Sequence, residues 1–440
     1  MRLANGVLAA AFLLGAGDVA AQGLPFDTEA FQQQRPSLAI VPAPANDQGG
    51  RGLDRSSAIV AYSRDGLWSD RTLSTLRSFG DDVFLLSERS PRTSRFIEAA
   101  EISRPGAAWL QLHLRRVPLQ GAELVVSAPS LNRSHTFTEA DIANWNGYTL
   151  MFETDRLIVS IINRDGRRLS VGDIVEDVIV GRSLMPQHAE ARSAASEDQG
   201  DEQEHVPCGQ DQRHFSTMSF VGRMRTNFCT AFLVEGGIVL TAGHCFRQNR
   251  EKQQVEFEVP LSSDMSIWKP ADQDHIFPVD LTSIACDDCT PNVNLDHGQD
   301  WAVFRLGRNM SGRLVQDVEG PGFRLLAPGA LAQDIGKPVS LTGFGWDNDP
   351  PEAMFSQQSG DGRIESVAQS GPGLALFHSA DAETGDSGAP LLVQDAAGAS
   401  RVAGIHTGGR CDPAAGHYNA GTAIDAAPLR AAIARLLGQP

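Results

Sequence analysis

The sequence predicts an all-β chain in two parts: a small β-sandwich-like domain, then a larger β domain that closes on one C-terminal helix. Three observations carry this expectation. Short aliphatic or β-branched runs separated by turn residues recur over residues 55–185, and return, rich in glycine, from Phe215 onward. The stretch between them, AEARSAASEDQGDEQEH, lacks large apolar residues and cannot bury enough surface to fold. At the end of the chain, Leu429, Ile433, Leu436 and Leu437 fall at i, i+4, i+7 and i+8, the period of an amphipathic helix. Asp425 and Pro428 suit its start and Gly438 its end.

The elements follow in order. Residues 1–21 read as an export signal. Arg2 supplies a positive start, Val7 to Leu14 an apolar run too short to span a membrane, and Val19-Ala20-Ala21 the small residues of a cleavage site before Gln22. Residues 22–54 are rich in Pro, Gln, Gly and Ala without a period, and are expected to be loose. Within 55–185, Leu110, Leu112 and Leu114 alternate with Gln111 and His113. Leu124 to Ser127, Leu157 to Ile162 and Ile174 to Val180 are further strand-like runs, and Asn163-Arg164-Asp165-Gly166 is a turn. Short strands at this spacing suggest a sandwich. The acidic linker is assigned to 186–214 and the second domain to 215–440.

Composition excludes some classes. The net charge of -17 argues against a nucleic-acid binder, which carries a basic face. No later stretch reaches the ~18 apolar residues of a transmembrane helix, so no membrane insertion is expected. The chain is expected to be soluble and monomeric, and either secreted or periplasmic. Six cysteines, an even number, favour disulfides in that setting. The pair Cys286 and Cys289 either closes locally or pairs outward; as half of a zinc site it lacks its second half. No metal and no cofactor are expected.

Three segments carry chemistry. A serine hydroxyl is a weak nucleophile and needs a neighbouring imidazole, held in one tautomer, to take its proton. His244 follows the apolar strand Ile238-Val239-Leu240, and Cys245 stands beside it, 16 residues after Cys229. A disulfide between Cys229 and Cys245 would clamp such a base to the preceding strand. In Gly385-Asp386-Ser387-Gly388, flanking glycines allow a sharp turn and close substrate approach. The N–H groups of Gly385 and Ser387 can then converge on one point as an oxyanion hole. Asp300 opens the apolar strand Trp301 to Leu306, and can accept the other N–H of the histidine. Asp296 lies nearby, but the strand begins directly after Asp300.

TAGHC, DWAVFRL and GDSGAP stand in the order His, Asp, Ser, and together they resemble the trypsin/chymotrypsin family of serine proteases. Leu341-Thr342-Gly343-Phe344-Gly345 and Gly404-Ile405-His406-Thr407-Gly408-Gly409 resemble further strands of that family. The resemblance covers roughly residues 215–437. It implies two six-stranded antiparallel β-barrels with the site between them. It also implies an acyl-enzyme mechanism on protein or peptide substrates: Ser387 attacks, His244 shuttles the proton, and Asp300 orients the ring. The backbone of Thr407 to Gly409 would pair with substrate as an added strand. Residue Asp386 would form a buried ion pair that holds the oxyanion loop.

Specificity signals conflict. Asp381, six residues before Ser387, stands where an acid in trypsin-like members selects Arg or Lys. His406 stands where glutamyl endopeptidases carry a histidine that receives a substrate carboxylate. Arg/Lys is preferred here, with Glu as the alternative. Residues of the linker do not supply the family's usual activation terminus, so Asp386 is expected either to pair with an internal basic group or to await cleavage, with Arg192 and Arg213 as candidate cut sites. The 55–185 domain would then be a pro-region or targeting module. Cys411 lies near a family disulfide position whose usual partner is Glu383 here; Cys208 is one candidate instead, and the four cysteines besides Cys229 and Cys245 allow three connectivities. A silent homologue that binds rather than cuts is a second class of reading, although such homologues usually lose a residue of the triad.

Overall fold

The computed structural model describes four N-terminal strands within residues 58–103, then 104–181 apart from 132 and 164–168, and 207–438 apart from 263–268, 288, 290–296 and 348. The leader, the 22–54 segment, the acidic stretch to residue 206 and Asp296 lie outside the described residues.

The first domain is built from β1 (Ala58–Tyr62), β2 (Trp68–Arg71), β3 (Val83–Arg89), β4 (Phe96–Ser103), β5 (Trp109–Leu114), β6 (Glu123–Ala128), β7 (Arg133–Phe137), β8 (Arg156–Asn163) and β9 (Val175–Gly181). Seven of these form an antiparallel sheet in the order β2-β1-β3-β4-β8-β6-β7, while β5 and β9 pair as a two-stranded ribbon. Alternation along β6 buries Leu124, Val126 and Ala128 on one face, as a sheet covered on one side requires. Helix α1 (Glu139–Asn144) starts at Thr138, whose hydroxyl accepts from the Asp141 N–H while Asp141 accepts in return. A second short helix, α2 (Val171–Ile174), starts on the same reciprocal cap at Ser170.

His135 on β7 is almost fully buried, its ring 3.6 Å from that of Phe137 and 4.5 Å from Trp145. Among the described residues neither ring nitrogen has a hydrogen-bond partner, and burial pushes its pKa well below the ordinary histidine value. The ring is therefore neutral in the fold and gains a proton on unfolding below pH ~6.5. A depressed folded pKa gives stability that is complete above the unfolded value and lost as pH falls, by up to about 1.4 kcal/mol per pH unit. Substituting His135→Leu should flatten the acid side of the stability curve. Urea midpoints from pH 7.5 to 5 measure this, and a variant as acid-sensitive as the parent would refute it.

The second domain opens with β10 (His214–Phe215). The next six strands are β11 (Val221–Met224), β12 (Cys229–Val234), β13 (Ile238–Thr241), β14 (Gln254–Glu256), β15 (Ile276–Asp287) and β16 (Trp301–Leu306). They close into a barrel in the order β11-β12-β13-β16-β15-β14. After the short helix α3 (Val315–Val318) come β17 (Arg324–Leu325), β18 (Pro338–Gly343), β19 (Gln358–Ser370), β20 (Gly373–His378), β21 (Pro390–Gln394), β22 (Ser400–Asp412) and β23 (His417–Ala423). The order β19-β18-β21-β22-β23-β20 closes by pairing of β19 with β20, which makes the second antiparallel barrel. Strand β10 adds to β19, and β17 runs parallel to β22 outside the ring.

Strand β12 is buried at all six positions because it serves two cores. Ala231 and Leu233 face the first barrel's interior with Val239, Phe277 and Phe304. Phe232 and Val234 face the core shared with the second barrel, beside Leu240, Leu341, Leu391 and Ile405. A period of two thus reads as a continuous apolar run when both faces are covered. Helix α4 (Ala427–Leu436) inserts Leu429 and Ile433 into that shared core. Leu437, expected on the same stripe, is the helix C-cap and stays exposed.

Candidate active site

The site forms where loops of the two barrels meet. His244 sits in a short 3₁₀ turn, Gly243–Phe246, at the end of β13. The Cys229–Cys245 disulfide ties this turn to β12, as the spacing suggested. Asp300 is fully buried at the mouth of β16. Its Oδ1 accepts the His244 backbone N–H at 2.9 Å, and its Oδ2 lies 2.6 Å from His244 Nδ1. Burial pushes the Asp300 pKa up, but the ring, its charge and the backbone N–H of His244 together hold it below the usual carboxylate value. An ionised acceptor at Nδ1 favours the tautomer that carries the ring proton there.

The Ser387 loop is latched to the first barrel by a residue that the sequence did not single out. Thr230, next to Cys229, donates its N–H to Ser387 O at 2.7 Å and its hydroxyl to Gly385 O at 3.0 Å. Gly388 has φ +88°, and a Cβ there would collide with Thr230 O and Thr241 Oγ1. Glycine is thus what lets the serine loop lie against the strand ends beside His244. Gly385, the other flank, has φ +108°, in the region that favours glycine. On the far side, Gly388 N–H donates to His406 O at 2.7 Å and His406 N–H to Ala389 O at 2.8 Å. The loop is therefore fixed to β22, whose Thr407, Gly408 and Gly409 follow directly.

Asp386 is buried beneath the loop. Its Oδ2 accepts the Glu383 N–H at 2.9 Å and lies 3.5 Å from the Arg213 guanidinium, itself nearly buried. Burial raises the Asp386 pKa to about 6, against the opposing pull of Arg213. Gly343 and Gly345 are glycines because a Cβ at either would strike the Asp386 carboxylate. Arg213 also donates to Asp211 and, at 2.8 Å, to Trp346 O. Arg213 is thus an internal ion-pair partner, where the sequence had also offered it as a cut site.

Residues 207–214, placed by the sequence at the end of the linker, belong to this domain. Cys208 is bonded to Cys411. Asp381 does not stand with an unengaged carboxylate at a pocket floor. Its Oδ1 accepts the Cys208 N–H at 2.7 Å and its Oδ2 the Gln212 N–H at 3.0 Å, so this acid fastens the incoming chain. His406 is fully buried, and its Nδ1 lies 3.1 Å from Nε2 of His378 on β20. The sequence gave no reason to pick out His378; only the sheet register brings β20 beside the core end of β22. Burial lowers the His378 pKa to about 3, so that ring is neutral. Thr407 Oγ1 lies 3.0 Å from His297 Nδ1. Cys286 and Cys289 close locally. Cys229, His244 and Cys245 cluster within ligand distance of one another, but both sulfurs are oxidised in the disulfide and offer no thiolate to a metal.

The sequence profile of the family described as Trypsin matches residues 206–433, just over half of the chain. A solved structure of a Glu endopeptidase resembles it with 16% identity and a TM-score of 0.39, over 53% of this chain and all of that one. No curated protein sequence matches. The double barrel, its C-terminal helix and the family match make the chain a peptidase-fold hydrolase: it belongs to the trypsin/chymotrypsin-like serine protease family.

Proposed function

We propose that the chain is an exported serine endopeptidase that acts through an acyl-enzyme, with Ser387 as nucleophile, His244 as general base and acid, and Asp300 as the orienting carboxylate. The observation that carries this reading is the two-point grip of the buried Asp300 on His244, 2.6 and 2.9 Å, with the Ser387 loop latched to the same barrel. Gly385 and Ser387 N–H groups would stabilise the oxyanion, a donor there being worth about 10²–10³ in rate. Substrate would pair along Thr407, Gly408 and Gly409.

For the residue before the cut, we favour an acidic side chain over Arg or Lys. Asp381 is occupied by two backbone N–H groups, which removes the acid that a cationic side chain would need. His406 has the opposite provision. Its Nδ1 lies 3.1 Å from Nε2 of the neutral His378, a bond that would orient the His406 ring so that it offers an N–H to a substrate carboxylate.

The test is a panel of fluorogenic peptides differing only in the residue before the cut, with Ser387→Ala as control. The parent should cleave after Glu or Asp, and Ser387→Ala should lose about 10⁶-fold in kcat. His406→Ala should lower kcat/KM for the Glu peptide by about 10–10²-fold, the worth of a charged hydrogen bond. Cleavage after Arg or Lys would restore the Asp381 reading. An inert parent would favour a binding role.

A further inference from the structure

The two domains meet on the outer face of the first barrel, and the contact is ionic and buried. Arg223 and Arg225 on and after β11 are both nearly inaccessible, as is Glu256 on β14. Glu256 Oε2 lies 2.7 Å from Arg223 and its Oε1 3.0 Å from Arg225. One glutamate cannot neutralise two buried guanidiniums. The second anion comes from the other domain: Glu153 pairs with Arg225 through Oε1 and with Arg133 through Oε2 at 3.5 Å. Arg225 also donates to Met151 O at 3.2 Å, and Arg133 donates back across the interface to Ala271 O at 2.7 Å.

Neutral hydrogen bonds extend the same face. Gln254 donates to Thr149 O at 2.7 Å, and Asn146 to Val279 O at 2.8 Å. The Asn144 amide makes both bonds of a backbone peptide with Arg308, accepting from its N–H and donating to its O, each 2.8 Å. A Cβ at Gly307 would occupy the place of Asn144 Oδ1. Removing the first domain would take Glu153 from Arg225 and leave the two guanidiniums sharing Glu256 alone.

The contact also reaches the catalytic turn. Two residues beyond Arg225, the Asn227 side chain donates to Cys245 O at 2.7 Å and Gln248 O at 2.8 Å, the carbonyls that follow His244.

We infer that residues 55–181 are a permanent accessory subunit of the protease, held by the Glu153–Arg225–Glu256 cluster, and that they stay bound after the acidic stretch is cut rather than leaving as a released pro-region. Glu153 is, in addition, a positioning residue, acting through Arg225 and Asn227 on the turn that carries His244. All six cysteines lie at or beyond residue 208, so no disulfide joins the domains and any persistence after cleavage is non-covalent.

The experiment places a site for a specific protease between residues 190 and 200 of the full chain, cleaves it, and follows the two fragments by size exclusion and native mass spectrometry at 0.15 M salt, a choice that keeps screening near physiological. The fragments should migrate as one 1:1 species, with kcat and KM unchanged by the cut. In the Asn144→Ala/Asn146→Ala/Glu153→Gln variant the fragments should bind at least about 10²-fold more weakly. The uncut variant should show a fall in kcat with little change in KM. Separation of the parent fragments overturns the inference, most plainly if the C-terminal fragment is then the more active. Unaltered association in the triple variant overturns it as well. Association is read without activity, so its failure is distinguishable from failure of the endopeptidase reading.

Discussion

Replacing Asp300 with Asn should lower kcat by about 10⁴-fold while leaving the fold and KM close to those of the parent. The reason lies in the two bonds that Asp300 makes. The Asn carbonyl can still accept the His244 backbone N–H, so the side chain stays in place. Its NH₂ group then faces His244 Nδ1 and donates to it. The ring responds by carrying its proton on Nε2, the nitrogen that must accept from Ser387. Geometry is retained and the tautomer is wrong. The measurement is kcat and KM on the best peptide of the panel, with circular dichroism and a melting curve to confirm the fold. A loss below tenfold would mean that Asp300 does not orient the base, and would return Asp296 to consideration.

The second large effect is expected at Arg213. Replacing it with Ala leaves Asp386 buried with no cation, and a broken buried pair is destabilising by about 3–5 kcal/mol. Asp386 titrates near pH 6 in the parent, raised by burial and opposed by Arg213. A raised carboxylate pKa stabilises the fold fully below the unfolded value of about 3.8, and that stabilisation is lost as pH rises through about 6. The ionised form is the costly one, and it is also the form that pairs with Arg213. Two consequences follow. The parent should lose activity as pH falls through about 6, when Asp386 is protonated and its grip on Arg213 weakens. In Arg213→Ala that acidic limb should move to higher pH, because the group lowering the Asp386 pKa is gone. The stability deficit of the variant should be largest above pH 7 and shrink toward pH 5, where Asp386 is neutral in both proteins. A deficit independent of pH would show that Arg213 acts through Asp211 or Trp346 instead.

These two residues mark the boundary of what a sequence can disclose. The place of Asp300 was legible because it is local: an acid at the mouth of an apolar strand. The Cys229–Cys245 bond was legible for the same reason, its partners being 16 residues apart on adjoining elements. Arg213 was offered only as a cut site and not as the partner of Asp386, because the two are 173 residues apart and nothing in either segment encodes the meeting. The same holds for Thr230, which reaches the serine loop across 155 residues, and for His378, which meets His406 across the intervening strand β23.

The sequence by itself disclosed the strand-rich element types, the C-terminal helix and the family that its motifs resemble. Each of these rests on periodicity or short spacing, and a chain carries such information along its length. The tertiary structure alone decided which charges are buried together. It turned Asp381 from a pocket acid into a cap on Cys208 and Gln212, made Arg213 the counter-ion of Asp386, and set Glu153 against Arg225 across the domain boundary. Coulomb interactions and desolvation depend on distance and burial, and both are properties of the folded chain.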